Sequence, residues 1–521
     1  MGTLIDLLNK SIPDYGSNIA LKLWSPEKVV SWSYAELGQS SDDVAAALRG
    51  MGIRKGDRVV VWAPNSPDWV ATFFGCLKIG AIVVPFDVRA REDFLEQVMI
   101  KTQAQLVLTG LDQAAPAGSL DAKVMPLDEL ARGYHAAGRP SSPAEITEDD
   151  VAEIVFTSGT TGTPKGVVLT HKNLLSNLRG VTAVMTSVPE YRLLSLLPLS
   201  HAFELAIGLL FPLSGGASIT YLDSLRPTTI FRAIQEEKIT CMGCVPQVLA
   251  LFMASIESEV AKGGKEGQWR TANKIASLLP VGLRRHLFKE LHQRMGGQFS
   301  FFVCGGAYLD PALAAKWERL GIKVLQGYGM TEAAPVVSCD TLNDRDHRYV
   351  GRIIPGMEAK TAGDGEILLR GASITPGYWE DPEATAAAFD GDWYKTGDIG
   401  TVSGGLIKLV GRKKNIIVLR NGMNVYPEDI EEVIKTDPRV RDCLVAGAET
   451  QPGETEVHAI IVMREAAVAQ EVVRQANSRL APHQHVKGYT VWEGEDFPRT
   501  PTLKPKRKEI LDTLKVRVEV L

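Results

Sequence analysis

The chain has 521 residues, of which 45% are hydrophobic and 23% charged, a composition typical of globular proteins with several domains. Its formal net charge of −5 and its pI of about 6.1 argue against a nucleic-acid-binding surface, because such surfaces are basic. Six cysteines in so long a chain do not indicate a disulfide framework, so we expect a reducing compartment and a cytoplasmic protein.

We expect neither a targeting segment nor a membrane span. The N-terminal MGTLIDLLNK lacks the pattern of a signal peptide, and Asp6 breaks the myristoylation motif. The most apolar stretch, residues 193–217, contains Pro198, His201 and Glu204, which favour a buried segment that lines a site over a membrane-spanning helix. The sequence is compatible with peripheral membrane contact and with a homodimer, and it specifies neither.

The N-terminal 400 residues alternate buried strands with amphipathic helices. A capping box of Ser33 and Glu36 predicts the start of a helix, which is followed by a strand in DRVVVWAP, a helix in SPDWVATFFGCLKIG and a strand in AIVVPFD. This βαβ rhythm predicts parallel sheets covered by helices. CMGC at 241–244 has metal-ligand spacing, but no second pair follows, so we interpret it as part of a strand.

The stretch TSGTTGTPKGVVLTH at 157–171 combines glycines, hydroxyl side chains and one lysine directly after the predicted strand VAEIVFT. It does not match the P-loop pattern, because Pro164 stands where the second glycine belongs and Gly166 follows Lys165. Its composition nevertheless suits phosphate oxygens, which backbone N–H groups can surround and a lysine can neutralise. We therefore predict a phosphate-binding loop, followed by a helix capped by Thr170.

The last hundred residues have a different pattern. TVSGGLIKLVGR predicts a hairpin around Gly404 and Gly405, and the later elements are a strand, a loop, a helix with Pro427 in its first turn and the strand EVHAIIVMR. The sequence therefore predicts a large domain at 1–411 and a small α+β domain at 412–521.

The run TSGTTGTPKG resembles the phosphate loop of the adenylate-forming acyl-CoA synthetases. Further stretches match that family in the same order, so that the resemblance covers nearly the whole chain: PLSHAFE (198–204), CGGAYLD (304–310), GYGMTE (327–332), YKTGD (394–398), GRKKNIIVLRNGMNVYPEDIE (411–431) and PRTPTLKPKRKEI (498–510). The resemblance implies an α/β fold with parallel or mixed sheets covered by helices. It also implies a small C-terminal α+β domain that rotates about a hinge at Lys414.

The resemblance also implies the site residues. ATP or AMP would be bound by Thr157, Ser158, Gly159, Thr160, Thr161, Gly162, Thr163, Lys165, Gly306, Ala307, Gly327, Tyr328, Gly329, Met330, Thr331, Asp398, Arg412 and Lys504. Within this set Tyr328 would stack on adenine, Thr331 would contact the α-phosphate and Asp398 would accept hydrogen bonds from the ribose hydroxyls.

The catalytic group implied by the resemblance is Lys504, Glu332, Thr331 and His201. Glu332, with Thr157 as a further oxygen ligand, would bind Mg²⁺, a hard cation that prefers carboxylate oxygen. The ammonium of Lys504 would bridge the substrate carboxylate and the α-phosphate. His201 would lie near the acyl and thioester region, and its rotamer would change between the two reaction steps.

Two residues depart from the usual family pattern, and one residue marks the thiol path. Asn415 follows the hinge where the family has an acidic residue, and Leu503 precedes Lys504 where the family usually has glycine. Gly422 matches the loop that lines the pantetheine tunnel. The variant TPTLKPKR resembles the long-chain branch of the family.

The implied reaction is ATP-dependent activation of a carboxylic acid to acyl-AMP, followed by thioester formation with coenzyme A. The long-chain resemblance and the helical stretch at 257–300 favour a medium- or long-chain fatty acid. The alternatives are a fatty acyl-AMP ligase that passes the acyl group to a carrier protein, an aryl-CoA ligase, a luciferase-like oxygenase and a non-catalytic nucleotide-binding module. We see no insertion of the acyl-AMP ligase type between Val350 and Asp398.

Overall fold

The computed structural model describes residues 2–90, 92–110, 122–132, 145–157, 164–419, 423–451, 454–465, 468–500 and 503–518. Its strands are β1 Ile19–Trp24, β2 Val29–Ser33, β3 Arg58–Trp62, β4 Ile82–Pro85, β5 Leu106–Thr109, β6 Lys123–Pro126, β7 Val151–Thr157, β8 Lys165–Thr170, β9 Arg192–Leu194, β10 Ser218–Leu222, β11 Cys241–Cys244, β12 Phe301–Cys304, β13 Lys323–Gly329, β14 Val336–Cys339, β15 Arg352–Ile353, β16 Met357–Thr361, β17 Glu366–Gly371, β18 Phe389–Asp390, β19 Trp393–Ser403, β20 Leu406–Arg412, β21 Ile417–Val418, β22 Asn424–Val425, β23 Val440–Gln451, β24 Glu454–Met463 and β25 Gly488–Val491.

The α-helices are α1 Leu4–Tyr15, α2 Tyr34–Gly50, α3 Pro67–Ile79, α4 Glu92–Thr102, α5 Leu127–Arg132, α6 His171–Val184, α7 Phe211–Ser214, α8 Pro227–Glu236, α9 Pro246–Lys262, α10 Glu266–Ala276, α11 Val281–Leu287, α12 Lys289–Arg294, α13 Pro311–Arg319, α14 Pro382–Ala388, α15 Pro427–Lys435, α16 Ala469–Asn477 and α17 Arg507–Val518.

The chain divides into two compact units. The first comprises residues 1–358 and 370–394, and the second comprises residues 359–369 and 395–521. The second unit thus includes all but the first two residues of the hairpin β19–β20, which ends at residue 412. The predicted boundary between residues 411 and 412 separates a fixed domain from a mobile one. The division into compact units does not test this boundary, which stays a prediction.

The first unit contains two mixed sheets. In one sheet the strands run in the order β2-β1-β10-β9-β11-β12-β13-β14-β15, and in the other they run β6-β5-β3-β4-β7-β8. In the first sheet, all neighbouring strands from β1 to β13 in this order pair parallel, whereas β2, β14 and β15 pair antiparallel with their neighbours. In the second sheet, the edge strand β8 pairs antiparallel with β7. Parallel strands connected by covering helices were predicted from the βαβ rhythm, and the structure confirms them.

Local sequence signals explain where the helices begin and end. The side chain of Ser33 accepts a hydrogen bond from the Glu36 N–H, and the Glu36 carboxylate accepts one from the Ser33 N–H, as the capping box predicted. Thr170 caps α6 in the same way. Helix α3 ends at Gly80, whose φ of +73° is a left-handed conformation that glycine adopts without strain.

The core of the first unit depends on close helix packing. A Cβ on Gly75 of α3 would lie 2.5 Å from Cγ1 of Val44 on α2. The two helices can pack this closely because glycine has no side chain. A separate cluster that includes Phe302 and Trp317 fills the space beneath β11, β12 and β13. Packing on both faces explains why these strands are nearly continuous apolar runs.

The apolar stretch at 193–217 is largely buried. It contains β9, a π-helical segment at Glu204–Leu210 and α7. Within the described part of the chain, no helix combines the length and the apolar character needed to cross a membrane. Cys241 and Cys244 of the CMGC run lie buried in β11 as free thiols, and the described residues contain no cluster of three metal-ligating side chains.

The second unit is built from small sheets. Its strands pair in the order β16-β17-β19-β20, β21-β22 and β23-β24-β25. The predicted hairpin is β19–β20, and it turns at Gly404 and Gly405 with φ of +58° and +78°. Pro427 opens α15 as predicted, and α15 packs its buried Ile430 and Ile434 against β23 and β24.

Candidate active site

Three predicted site segments meet at the carboxyl ends of parallel strands in the first unit. CGGAYLD begins at the last residue of β12, and GYGMTE covers the end of β13 and the three residues after it. PLSHAFE ends at the first residue of the π-helical segment. A Cβ on Gly305 would lie 3.3 Å from Cε2 of Phe203 and 3.4 Å from the carbonyl oxygen of Gly327. The Gly305 backbone therefore lies close to both the Phe203 ring and the Gly327 backbone, and ligands of α/β sheets bind at such edges.

The turn that carries Thr331 and Glu332 is fixed by a buried amide. Asn177 of α6 donates hydrogen bonds to the carbonyl oxygens of Ala333 and Val336, at 3.0 and 2.7 Å. A Cβ on Gly329 would lie 2.0 Å from the carbonyl oxygen of Pro335, so only glycine fits there. These contacts hold the segment 329–336 in one conformation.

The Glu332 carboxylate lies in a cluster with two tyrosines. The Tyr378 hydroxyl donates to Glu332 Oε1 at 3.1 Å and lies 3.2 Å from the hydroxyl of Tyr394. Burial, with the charge of Glu332, raises the pKa of Tyr378 to about 12 and raises that of Tyr394 above its usual range. Both hydroxyls therefore stay protonated at neutral pH, and the Tyr378 hydroxyl donates to the carboxylate.

Backbone pairing connects this cluster to the phosphate-loop region. The segment 377–379 runs beside β8, with the Trp379 N–H bonded to the carbonyl oxygen of Gly166 at 2.7 Å. This pairing puts the Tyr378 ring 5.1 Å from Nζ of Lys165. The Thr157 hydroxyl lies 3.5 Å from the carbonyl oxygen of Lys165. The residues that flank the predicted phosphate loop and the predicted Mg²⁺ ligand thus belong to one site.

The donor set at Glu332 fits a magnesium ion carried by a substrate. Mg²⁺ is typically bound through one or two carboxylates together with substrate phosphates and water, rather than by a cage of protein ligands. Glu332 offers one carboxylate beside the hydroxyl oxygens of this cluster, and Lys165 offers a cation for phosphate. The arrangement matches that chemistry.

His201 lies beside a buried carboxylate that the sequence analysis did not identify. Its Nε2 is 3.4 Å from Oδ2 of Asp87, an ion-pair distance without the alignment of a hydrogen bond. Burial raises the pKa of Asp87, but His201 and the hydrogen bonds from Arg89 outweigh it, so the pKa lies below its usual range. Asp87 is therefore ionised, and it attracts the imidazole of His201 electrostatically.

The loop that carries His201 is held at both of its ends. The side chain of Asn65 donates to the carbonyl oxygen of Leu197 at 2.7 Å and accepts from the Leu199 N–H at 2.8 Å. The Ser195 hydroxyl donates to Glu204 Oε1 at 2.5 Å. The backbone around His201 is thus fixed, and the imidazole is attached to a rigid loop.

Glu204 is a fully buried acid, and one of its oxygens has no partner in the described part of the chain. Burial raises its pKa to about 8, and the hydrogen bond from Ser195 opposes this increase only in part. Its Oε2 has no hydrogen-bond partner among the described residues. A Cβ on Gly208 would lie 2.3 Å from Glu204 Oε1, so Gly208 makes room for the carboxyl group.

In the second unit, Asp398 is oriented by its own motif. The Thr396 hydroxyl accepts from the Asp398 N–H at 3.0 Å, and the Gly397 N–H donates to Glu366 Oε1 at 2.9 Å. Arg412, directly opposite on β20, lies with Nε 2.9 Å from Asp398 Oδ1. The buried Asp398 carboxylate is thus already paired with the arginine that the resemblance assigns to nucleotide binding.

Lys504 lies near this pair, on a tight turn. Its backbone N–H donates to the Thr500 hydroxyl at 3.1 Å, and Leu503 before it has a φ of +61°. Crowding by protein atoms lowers the pKa of Lys504, Arg412 lowers it further, and Asp398 opposes the change. Because much of the side-chain surface is nevertheless exposed, water screens these charges and the ammonium stays protonated at neutral pH.

The hinge candidate Lys414 belongs to the same group of charges. Burial lowers its pKa and Arg412 lowers it further, while Asp398 opposes the decrease. The amide of Asn415, the residue that departs from the family pattern, donates to Glu428 Oε1 at 2.9 Å. Asn415 thus binds an acidic side chain on α15. An acidic residue at position 415 could not make this contact, because its carboxylate and that of Glu428 would repel each other.

The structure places most of the predicted residues in two groups. The first unit contains Thr157, Lys165, His201, Gly306, Ala307, Gly327, Tyr328, Gly329, Met330, Thr331 and Glu332, and the second contains Asp398, Arg412, Lys414 and Lys504. Ser158, Gly159, Thr160, Thr161, Gly162, Thr163 and Gly422 lie outside the described residues. The roles of all these residues stay predictions.

The sequence analysis missed Asp87, Asn65 and Tyr378. It also assigned no role to Tyr394, which lies within the quoted YKTGD motif. Asp87 and Asn65 both follow buried strands of the second sheet of the first unit, β4 and β3, and a search for polar residues at strand ends would have found them.

Comparison with known proteins gives matches along nearly the whole chain. The family model described as AMP-binding enzyme matches residues 10–379, and that described as AMP-binding enzyme C-terminal domain matches residues 414–521. The chain is 30% identical to feruloyl-CoA synthase of Amycolatopsis sp. over 90% of its length and 91% of that protein. It is 29% identical to the long-chain-fatty-acid–CoA ligase FadD13 of Mycobacterium tuberculosis, over 92% of each.

A solved structure has the same fold. O-succinylbenzoate coenzyme A synthetase of Bacillus subtilis, in complex with ATP and magnesium ion, superposes with a TM-score of 0.80 at 22% identity. The match covers 97% of this chain and 99% of that one. The predicted architecture, a large N-terminal domain with mixed sheets and helices plus a smaller C-terminal domain, is therefore confirmed.

The buried acid Glu204 predicts a pH dependence of stability. Its pKa is raised from 4.5 to about 8 in the folded chain, so its stabilising contribution is complete below pH 4.5 and is lost as the pH rises to 8. In Glu204→Gln this loss is absent. Between pH 5 and pH 8 the melting temperature of the wild type should therefore fall relative to the variant, by roughly 4 °C.

Calorimetric melting at both pH values measures the effect. Glu266→Gln, a change of an exposed acid on α10, is the matched control and should follow the wild type. An unchanged difference between the wild type and Glu204→Gln across this range would mean that Glu204 is not held as a neutral acid.

Proposed function

The chain belongs to the AMP-binding enzyme family, and from this premise we propose that it joins a medium- or long-chain fatty acid to coenzyme A through an acyl-adenylate. Membership makes the chain an ATP-dependent acyl-CoA ligase, as predicted. The fatty-acid substrate and the roles of individual residues are our proposal.

The observation that carries the proposal is the cluster of Lys165, Tyr378 and Glu332 beside the ends of β7 and β8. A lysine, a hydroxyl-rich loop and one oriented carboxylate provide what a nucleoside triphosphate needs. Backbone pairing fixes their relative positions before any ligand binds, so the site is preorganised for charge that develops on phosphate oxygens.

In the first half-reaction the substrate carboxylate attacks the α-phosphorus of ATP, and the bond to the β,γ-diphosphate breaks, releasing pyrophosphate. The loop that begins at Thr157 and ends at Lys165 binds the β,γ-phosphates. Bound at Glu332, Mg²⁺ would neutralise the negative charge that the leaving pyrophosphate takes up. Thr331 contacts the α-phosphate, and Lys504 balances the charge on the attacking carboxylate and on the α-phosphate.

The nucleoside is positioned by two further residues. Tyr328, largely buried on β13, offers its ring to adenine, and Asp398 offers both carboxylate oxygens to the ribose hydroxyls. Arg412 orients the Asp398 carboxylate through their 2.9 Å contact.

In the second half-reaction a thiol attacks the carbonyl carbon of acyl-AMP, the thioester forms, and AMP leaves with the electron pair of the broken C–O bond. Rotation of the small domain about Lys414 withdraws Lys504 and admits the thiol past Gly422. His201, attracted by Asp87, faces the acyl region during this step. A shared pocket protects the mixed anhydride from water between the steps.

The fatty-acid assignment rests on the TPTLKPKR variant, on the helices α9–α12 and on the likeness to a long-chain-fatty-acid–CoA ligase. The likeness to a feruloyl-CoA synthase, at 30% identity over nine-tenths of the chain, favours an aryl acid as the second candidate. The two candidates share the chemistry and differ only in the pocket for the acid.

An acid panel tests the proposal. The purified protein is incubated with ATP, Mg²⁺ and acids from acetate to oleate, plus benzoate and ferulate, with and without coenzyme A, while pyrophosphate, AMP and thioester are measured. We expect thioester formation to peak between C8 and C18. A maximum with ferulate or benzoate would establish the aryl candidate, and pyrophosphate release without thioester would indicate a carrier-protein ligase.

We predict that Lys504→Ala separates the two half-reactions. Without the ammonium, acid-dependent pyrophosphate release should fall by about 10²-fold or more, because charge stabilisation in the transition state is lost. Thioester formation from supplied acyl-AMP and coenzyme A should stay near the wild-type rate. Lys508→Ala, which removes an exposed lysine from α17, is the control and should leave both rates unchanged. Equal losses in both half-reactions would contradict this role.

We predict that Tyr378→Phe weakens the response to Mg²⁺. The Tyr378 hydroxyl orients Glu332, and losing such a contact to a metal ligand typically reduces metal affinity by about 10-fold or more. The Mg²⁺ concentration that gives half-maximal pyrophosphate release should rise accordingly. Tyr489→Phe, on β25 and exposed, is the control. An unchanged Mg²⁺ response in Tyr378→Phe would refute the orienting role.

A further inference from the structure

A cavity lies in the first unit, at the opposite edge of the sheet from the candidate site. It has a volume of about 450 Å³, and Ser300, Lys323, Arg285 and Arg345 are among the residues that line it. Ser300 directly precedes β12 and Lys323 begins β13, whereas the predicted nucleotide-binding residues follow the carboxyl ends of these strands. The cavity is therefore separate from the nucleotide site.

Two cations in this cavity have no acidic partner among the residues that the structure describes. The Arg285 guanidinium donates to the carbonyl oxygens of Phe299 and Gly297 at 3.0 and 3.2 Å, and Lys323 Nζ donates to that of Leu342 at 2.9 Å. Among the described residues, no carboxylate lies within 4.0 Å of either side chain, and no acid lines the cavity. Carbonyl oxygens orient both cations but cannot neutralise their charges.

The third cation of the cavity is already neutralised. Arg345 Nε lies 2.7 Å from Glu318 Oε1, and His347 Nε2 lies 3.5 Å from the same oxygen. Arg345 nevertheless faces Lys323, and after burial it is the next cause that lowers the pKa of Lys323, with Glu318 opposing. Burial lowers the pKa of Arg285 as well. The cavity thus concentrates positive charge at partly buried positions, where an anion would relieve it.

The remaining lining is suited to an organic group. Val281 and Leu342 are apolar, and the Tyr191 ring packs edge-on against Phe301 with centroids 5.4 Å apart. The volume falls within the range of small-molecule sites in proteins. The cavity therefore has room for more than a single inorganic ion.

We propose that this cavity binds the phosphate group of a small phosphorylated molecule, and that Arg285 and Lys323 contact its oxygens. A phosphate dianion balances two unpaired cations, whereas a carboxylate balances only one. Arginine binds phosphate with two parallel N–H groups, and lysine adds a point charge. This site is additional to the proposed function and does not depend on it.

Calorimetric titration of the full-length protein with inorganic phosphate tests the proposal. A non-hydrolysable ATP analogue and Mg²⁺ are present at saturation, so that the phosphate loop is occupied and contributes no signal. We expect one phosphate site, and we expect its affinity to fall by about tenfold or more in Lys323→Gln. Glutamine can still donate to the Leu342 carbonyl oxygen, so this variant removes the charge while it keeps the local hydrogen bond.

Two further variants make the result decisive. Lys323→Arg keeps the charge and should retain phosphate binding, while Lys289→Met removes an exposed lysine from α12 and should bind as the wild type does. Absence of phosphate binding in the analogue-saturated wild type would overturn the proposal. Equal binding in Lys323→Gln and the wild type would also overturn it, because the phosphate would then bind elsewhere. The readout is the heat of binding, so it is independent of whether the enzyme turns over any acid.

Discussion

The candidate site depends on the pairing between β8 and the segment 377–379. Two backbone hydrogen bonds, from Trp379 to Gly166 and from Val168 to Gly377, join parts of the chain that are about 210 residues apart in sequence. The Thr375 hydroxyl strengthens the junction by donating to the carbonyl oxygen of Val168. The backbone N–H of Thr375 donates to the carbonyl oxygen of Glu332. Lysine, tyrosine and carboxylate are thus positioned by main-chain geometry, and their side chains need little reorganisation when phosphate binds.

One strand of this junction carries a fully buried acid. Glu153 on β7 is fully buried, neither of its oxygens has a described partner, and burial raises its pKa to about 8. Burial likewise raises the pKa of Glu204 to about 8, at the base of the loop that carries His201, although its Oε1 accepts a hydrogen bond from Ser195. Neutral carboxylic acids avoid the large cost of buried charge, yet each still requires hydrogen-bond partners that apolar residues would not.

The sequence predicted the secondary structure well where local physics determines it. The capping boxes at Ser33 and Thr170, the glycine hairpin of β19–β20 and the proline that opens α15 depend only on neighbouring residues. The resemblance to the adenylate-forming family implied which loops would form the site. The contact between Tyr378 and Glu332 and that between Asp87 and His201 were missed, because they join residues 46 and 114 positions apart in sequence. No repeating pattern in a sequence indicates contacts over such separations. Asp87 in particular looks like an ordinary polar residue at the end of a strand until the fold brings His201 beside it.

The turn at Leu503 has a consequence for how the small unit works. A leucine with φ of +61° is in a conformation that costs about 1–2 kcal/mol relative to its preferred ones, so local preference does not hold the turn. Side-chain hydrogen bonds hold it instead: Arg499 donates locally to the carbonyl oxygen of Leu503 and makes a tertiary contact of 2.6 Å with Asp442 on β23. Lys504 is therefore attached to the sheet β23-β24-β25 rather than to a loose tail. Whenever the sheet moves, the ammonium moves with it, and little additional chain entropy is lost when it engages a ligand.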